Sequence, residues 1–191
     1  MHGEDSLEGR NTVDALEAIR GRRSVRSFAD KEVSRDDLEE IVKCGTLAPS
    51  AGNIQPWEFI VVRDQERKSA LAEAAFHQSF IAEAPVVLVV LANRLRSSRI
   101  YGRRGAELYS IQDTAAAIEN ILLAVHSKGL GACWVGAFDE TATADVVHPN
   151  DKARPVAIIP IGFPKHSSMA PPRRKLTEVL HEEIYRTGAV S

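Results

Sequence analysis

The stretch Ala48-Pro49-Ser50-Ala51-Gly52-Asn53-Ile54-Gln55-Pro56-Trp57-Glu58-Phe59 lies between an amphipathic helical pattern and a β-rich run ending at Val62. Pro49 and Pro56 bias the residues before them towards extended conformations and stop the helix. Between the prolines, Ser50, Gly52, Asn53 and Gln55 offer a hydroxyl, bare backbone and carboxamides with little bulk. Such a loop suits a flat heterocycle with alternating donors and acceptors on its edge, because amides both give and accept hydrogen bonds. Ordinary helix-to-strand turn chemistry accounts for the same residues, and this segment alone favours that plainer reading.

Upstream, the apolar positions Val13, Leu16 and Ile19 fall on one face of a helix starting near Thr12. That helix runs into Arg20-Gly21-Arg22-Arg23-Ser24-Val25-Arg26-Ser27-Phe28. Arginines this dense repel one another unless an anion sits among them. Guanidinium forks grip phosphate in two-pronged fashion, and Ser24 adds a hydroxyl. A solvated basic turn at the negative end of a helix dipole is an equal alternative.

With 191 residues, 44% apolar and 26% charged, the chain has the make-up of one ordinary globular domain. A net charge of −2 gives no global pull towards nucleic acid or anionic membrane. The polar start, residues 1–11, reads as a loose tail without the apolar core of a signal peptide. The longest apolar run, Pro85 to Ala92, is too short to span a bilayer. Cys44 and Cys133 form no CxxC pair, and six histidines show no metal-ligand spacing, so no metal is expected. The expected compartment is the cytoplasm.

Downstream of Arg26, Ser34 and Asp37 signal a helix start, with Val33 and Leu38 as a hydrophobic staple. Leu38, Ile41, Val42 and Leu47 supply its buried face. A strand over 58–63, a helix over 65–75 and a buried strand over 86–91 follow. Asn93 to Gly105 carries Arg94, Arg96, Arg99, Arg103 and Arg104 without periodicity and reads as a mobile surface loop. Glu107 to Lys128 is the longest helical pattern, apolar at Leu108, Ile111, Ala115, Ile118, Leu122 and Val125, with Ala117, Ile121 and Ala124 on its flank. So wide a surface marks either the centre of the domain or half of a subunit interface. A glycine stop at Gly129-Leu130-Gly131 leads to Cys133-Trp134-Val135-Gly136-Ala137-Phe138. These glycines follow a helix and precede a strand, the reverse of a dinucleotide fingerprint. A helix over 142–147, a strand over 155–161 and an amphipathic tail over 176–184, preceded by Arg173-Arg174-Lys175, complete the chain.

Taken in order, Arg22–Phe28, Pro49–Trp57, Gly129–Phe138 and Arg173–Leu176 resemble the signature segments of the FMN-dependent nitroreductase family, from about Val13 onward. The resemblance implies an α+β fold with a central, mostly antiparallel sheet wrapped by helices, one domain over 12–191, and an intertwined homodimer with FMN at the subunit interface. It implies that Arg22, Arg23, Ser24 and Arg26 lie against FMN, arginine by the phosphate and Arg26 towards the pyrimidine side. Pro49, Ser50, Asn53 and Gln55 would reach the same flavin from the partner subunit, Gly136 and Ala137 would present backbone near the reactive nitrogen, and Arg173 or Arg174 would return to the phosphate. Gly136-Ala137 departs from the Glu-Gly pair of the best-known members. No side chain is expected to act as a catalytic group, because the flavin carries the hydride chemistry. The implied activity is hydride transfer from NADH or NADPH through FMN to a nitroaromatic, quinone or related electrophile in ping-pong order. Flavin storage, or flavin and dehalogenation chemistry on the same fold, is the alternative. Nucleic acid is excluded as a partner by net charge and by the lack of aromatics among the arginines beyond Tyr101.

Overall fold

Strand β2, Val86–Asn93, is buried along nearly its whole length, and the sheet forms around it. It pairs antiparallel with β1, Trp57–Val62, on one side and with β4, Ala153–Gly162, on the other. A two-residue strand β3, Gly131–Ala132, completes the order β1-β2-β4-β3 beyond β4. This is a computed structural model, and it describes residues 14–150 and 152–185. The tail expected over 1–11 and the helix start at Thr12 and Val13 lie outside the described residues.

Side chains alternate across β2 with the strand period of two. Val87, Val89 and Leu91 enter one core with Leu71, Ile81 and Val147. Those partners come from α3, Gln65–Ala74, α4, Phe80–Glu83, and α7, Glu140–Val147. Val86, Leu88 and Val90 enter the opposite core with Leu38, Ile41, Ile118, Leu122 and Val125. Those come from α2, Arg35–Thr46, and α6, Ser110–Ser127. Burial on both faces is why β2 reads as a continuous apolar run although its neighbours are antiparallel. The fold is therefore the expected α+β arrangement, an antiparallel sheet wrapped by helices.

The helix starts follow the local chemistry. Ser34 Oγ accepts from the Asp37 amide at 3.0 Å, and Val33 and Leu38 are both buried. Asp64 and Asp139 cap α3 and α7 in the same way, at 2.9 and 2.8 Å. On α6 the buried apolar residues are Ala117, Ile118, Ile121, Leu122 and Val125. In its first turns the apolar Ile111 and Ala115 are half-buried, while the polar Ser110, Asp113 and Thr114 are buried.

Three expectations need correction. The arginine-rich segment is not a loop but helical, α5, Arg94–Arg104, kinked at Tyr101 and Gly102 and continuing through a π-turn at Gly105–Tyr109 into α6. It lacks apolar periodicity because polar contacts hold it. Asn93 Oδ1 accepts from the Arg96 amide at 3.1 Å, Arg103 pairs with Glu107 at 2.8 Å, and Arg104 Nε donates to the Tyr109 hydroxyl at 2.9 Å. Second, the tail expected to be helical over 176–184 has a single 3-10 turn, Leu176–Glu178, with Leu176, Val179, Leu180 and Ile184 exposed. An amphipathic helix needs an apolar surface to lie on, and the described residues of this chain give it none. Third, Leu16 and Ile19 of α1, Ala15–Gly21, and Leu47 after α2 are exposed rather than buried.

At the C-terminus of α6, Lys128 Nζ reaches Asp37 Oδ1 at 2.9 Å and Glu40 Oε2 at 2.6 Å, tying α6 to the start of α2. The Ser34 hydroxyl, and then Lys128, hold the Asp37 carboxyl below its usual value. A depressed carboxylate contributes stability above its unfolded pKa and loses it as pH falls through the lower folded value. Lys128→Ala should therefore cost roughly 1 kcal/mol at neutral pH, a scale suited to half-exposed pairs. That difference should close as pH falls below the usual carboxylate range and through the lowered folded value of Asp37. Thermal melts of both proteins across this range check it.

Candidate functional site

The segment after α1 is a strap laid along the end of the sheet. The Val25 amide donates to the Ala132 carbonyl at 2.9 Å, and Ser24 forms a bridge with Ala132. Val25 and Phe28 are buried, while Ser24 and Arg26, on either side of Val25, are exposed. The apolar pair thus anchors the strap and leaves the polar pair free to meet a ligand. Arg22 ends α1, donating its amide to the Ala18 carbonyl at 2.9 Å, and its Nε lies 3.5 Å from Glu119 Oε1 on α6. The Arg23 guanidinium turns back onto the carbonyls of Arg20 and Arg22, at 2.6 and 2.8 Å. The Arg26 guanidinium sits over the Phe80 ring, 5.9 Å from its centre. Behind the strap, Cys133 is buried. Desolvation pushes its thiol up, with Arg26 and Ser24 beside it working in the opposite direction.

Two cavities adjoin this strap and share a wall formed by His166, Ser167 and Ser168. One, of about 220 Å³, is lined by Arg22, Arg23 and His126 above an apolar floor of Leu122, Val125 and Leu130. The other, of about 410 Å³, is lined by Ser24, Arg26 and Ser27. No carboxylate is among the lining side chains of either. The donors converging here, guanidinium, imidazole and hydroxyl, form a set suited to a phosphorylated ligand. A larger hollow of about 570 Å³ between α2 and β1 contains none of the cofactor-site residues expected from the sequence.

His126 and His166–Ser168 escaped the sequence reading. The signal at 167–168 is two adjacent hydroxyls just after a strand end, in a segment read only as far as its proline. His126 carries no signal of its own. It matters because Gly21 lies against it: a Cβ at position 21 would come 2.4 Å from His126 Nε2.

The loop between α2 and β1 is the second element. Ser50 Oγ accepts from the Gln55 amide at 3.0 Å, and the Ala51 amide donates to Asp113 Oδ1 at 3.0 Å. Gln55 Nε2 reaches Asn53 Oδ1 at 3.1 Å, and Arg96 Nη1 donates to the Gln55 carbonyl at 3.1 Å. Gly52, Asn53 and Gln55 all take left-handed backbone, with φ of 57°, 55° and 53°. The extended conformation expected at Gln55, before Pro56, is therefore absent, and the bonds to Ser50 and Arg96 hold it in a disfavoured region. Pro49, Gly52 and Asn53 are exposed at the tip.

The remaining positions lie apart. Gly136 and Ala137 are exposed beyond the Val135–Ile158 bridge, and the Ala137 carbonyl accepts from Gln78 Nε2 at 3.2 Å. Arg173 and Arg174 are exposed, and Arg174 is engaged with Glu178 at 3.3 Å. Among the described residues, no hydrogen bond, ion pair or cavity given above joins Arg22–Arg26 to Pro49–Gln55 or to Arg173–Arg174. Within one chain, the twelve positions form one assembled cluster, Arg22–Arg26, and several unattached parts. No described helix is long and apolar enough to cross a membrane.

Comparison with known proteins adds a family. The description "Nitroreductase family" matches residues 19–79 and 72–163. A Thermus thermophilus protein named NADH dehydrogenase is 33% identical over 196 residues, spanning 88% of this chain and 95% of its own. A Bacillus subtilis FMN reductase (NAD(P)H) is 29% identical over 185 residues, covering 90% of this chain and 74% of that one. The solved structure of B. megaterium NfrA2 superposes with a TM-score of 0.84 at 26% identity, over 91% of this chain and 75% of that one.

The loop geometry carries its own test. A Cβ at Gly52 would come 2.7 Å from the Tyr101 hydroxyl, at a φ that side chains rarely adopt. Gly52→Ala should lower stability by about 1–2 kcal/mol from the backbone alone. Adding Tyr101→Phe should recover only the steric share. Denaturant unfolding of the single and double variants separates the two parts.

Proposed function

This chain belongs to the nitroreductase family, and from that premise we propose that it binds FMN between two copies of itself and passes hydride from NADH or NADPH to a small organic acceptor such as a nitroaromatic or quinone. At the level of reaction class it is an NAD(P)H-dependent flavin oxidoreductase, as its named relatives indicate. The acceptor class and a ping-pong order, in which oxidised nicotinamide leaves before the acceptor enters, are the finer parts of the proposal.

The observation that carries it is the carboxylate-free cradle at the strap, where Arg22, Arg23, Ser24 and Arg26 face cavities closed by His166–Ser168. The donor set fits FMN's phosphate and the polar edge of its ring. FMN, when bound, would supply the hydride relay, a task no arrangement of ordinary side chains performs. The chain's own residues bind and orient. Arg22 and Arg23 would neutralise the phosphate, Arg22 releasing its long contact with Glu119. Arg26, steadied over Phe80, would set a positive charge by the pyrimidine edge and favour electron acceptance. Gly136 and Ala137 would offer backbone without side-chain bulk, and Arg173 or Arg174 would add charge at the phosphate.

Pro49, Ser50, Asn53 and Gln55 would come from a second copy, since in one chain they stand apart from the strap. The exposed apolar side chains Leu16, Ile19, Leu47, Leu176, Val179, Leu180 and Ile184 support such a partner, because scattered apolar groups on several elements are what an intertwined interface would cover. On this reading residues 12–191 form one flavin-binding domain, working in the cytoplasm.

The purified protein should show flavin absorption that bleaches anaerobically with NADH or NADPH and returns when an acceptor is added after the nicotinamide has been removed. A colourless protein that takes up no added FMN overturns the proposal. Replacing Arg22 and Arg23 together with alanine should weaken FMN binding by about 100-fold or more, since charge-assisted bonds contribute about 1.5–3 kcal/mol each. Fluorescence titration of the apoprotein with FMN measures this.

A further inference from the structure

Asp113 is not among the residues placed against the flavin. It lies on the first turn of α6, yet only 6% of its surface is exposed. Oδ1 accepts the Ala51 amide at 3.0 Å, across 62 residues of chain. Oδ2 is buried with no hydrogen-bond partner among the described residues. α6 continues directly from the π-turn at Gly105–Tyr109, so a free helix N-terminus is not what favours an acid here. Burying a carboxylate with a single partner is costly. Ala116, Ala117 and Ile118 show what this part of the helix uses where packing alone is at stake.

What the carboxylate secures is the middle of the Pro49–Gln55 loop. That loop holds three left-handed residues in a span of four, Gly52, Asn53 and Gln55. Conformations of this kind persist only where surrounding contacts over-determine them. Three contacts do so here. Ser50 Oγ holds Gln55 from within, Arg96 holds the Gln55 carbonyl from α5, and Asp113 holds Ala51 from α6. The loop's far end is held to the sheet by the Asn93 amide, which donates to the Pro56 carbonyl at 2.7 Å; of the three contacts above, Asp113 is the one that ties the middle of the loop to the helix that packs on the core.

We propose that Asp113 is a positioning residue of the cofactor site, setting the Pro49–Gln55 loop through the Ala51 amide in the shape that a flavin meets. This rests on the flavin reading above. The role belongs to the acceptor atom and not to the charge, so Asn, which keeps a carbonyl oxygen at the same place, serves equally well.

The test uses the full-length protein and three variants, Asp113→Ala, Asp113→Leu and Asp113→Asn, each read by amide hydrogen exchange and by titration with FMN. Leu fills the volume without an acceptor and guards against the Ala variant failing to fold. In the Ala and Leu variants, the peptide spanning 48–57 should exchange about tenfold faster while β2 peptides are unchanged, and FMN should bind about tenfold more weakly. The Asn variant should stay within about twofold of the parent on both readouts. Parent-like exchange or parent-like FMN affinity in a folded Ala or Leu variant overturns the proposal, as does an Asn variant as impaired as Ala. A parent protein that takes up no FMN removes the flavin reading instead. The exchange measurements then decide alone whether Asp113 holds the loop.

Discussion

Two-sided burial of β2 is the constraint from which the rest of the structure follows. A strand whose alternate residues, Val86, Leu88, Val90 and Val87, Val89, Leu91, are all inaccessible needs helices on both faces of the sheet. α2 and α6 cover one face, and α3, α4 and α7 the other. Each fully buried Val, Leu or Ile contributes about 1.5–3 kcal/mol, so this layer outweighs any single polar contact in the molecule. The sheet is also what the strap is bonded to, through Ala132 and β3.

α6 links the two core functions of the chain. Its inner face packs against α2 and β2, and its other positions carry polar groups to both parts of the site. Asp113 reaches the loop, Glu119 reaches Arg22, His126 lines the cavity beside Gly21, and Lys128, just past its end, ties down α2. A helix rise of about 1.5 Å per residue separates Asp113 and Glu119 by roughly 9 Å along the axis. Their side chains point around the helix in different directions. One rigid element can therefore hold the strap and the loop at a set distance while directing them away from each other.

The distribution of strain and burial also distinguishes site from scaffold. Caps at Ser34, Asp64 and Asp139 follow ordinary local rules. The loop at 49–55 breaks them, with a left-handed residue before proline and a buried carboxylate behind it. Departures of this sort persist where the surroundings enforce them, and they mark the segment more sharply than its composition does.

Much was legible from residue order alone. The period of β2, the caps of α2, the long α6 pattern and the Arg22–Arg26 cluster are local features, and local chemistry decides them. The sequence also carried the family's motifs in order, and with them the family and its cofactor. Other features depend on contacts between distant segments, which periodicity does not record. Helix α5 is held by its cap and by side-chain bonds to the 105–109 turn, so its arginines looked like a loop. The tail at 176–184 has a helical pattern but no surface among the described residues to lie on. His166–Ser168 join the site only because β4 delivers them beside the strap, and Asp113 matters only because Ala51 folds back onto it. The sequence determined which chemistry the chain carries; the tertiary structure decided which groups meet, because only packing brings residues far apart in the chain within bonding distance.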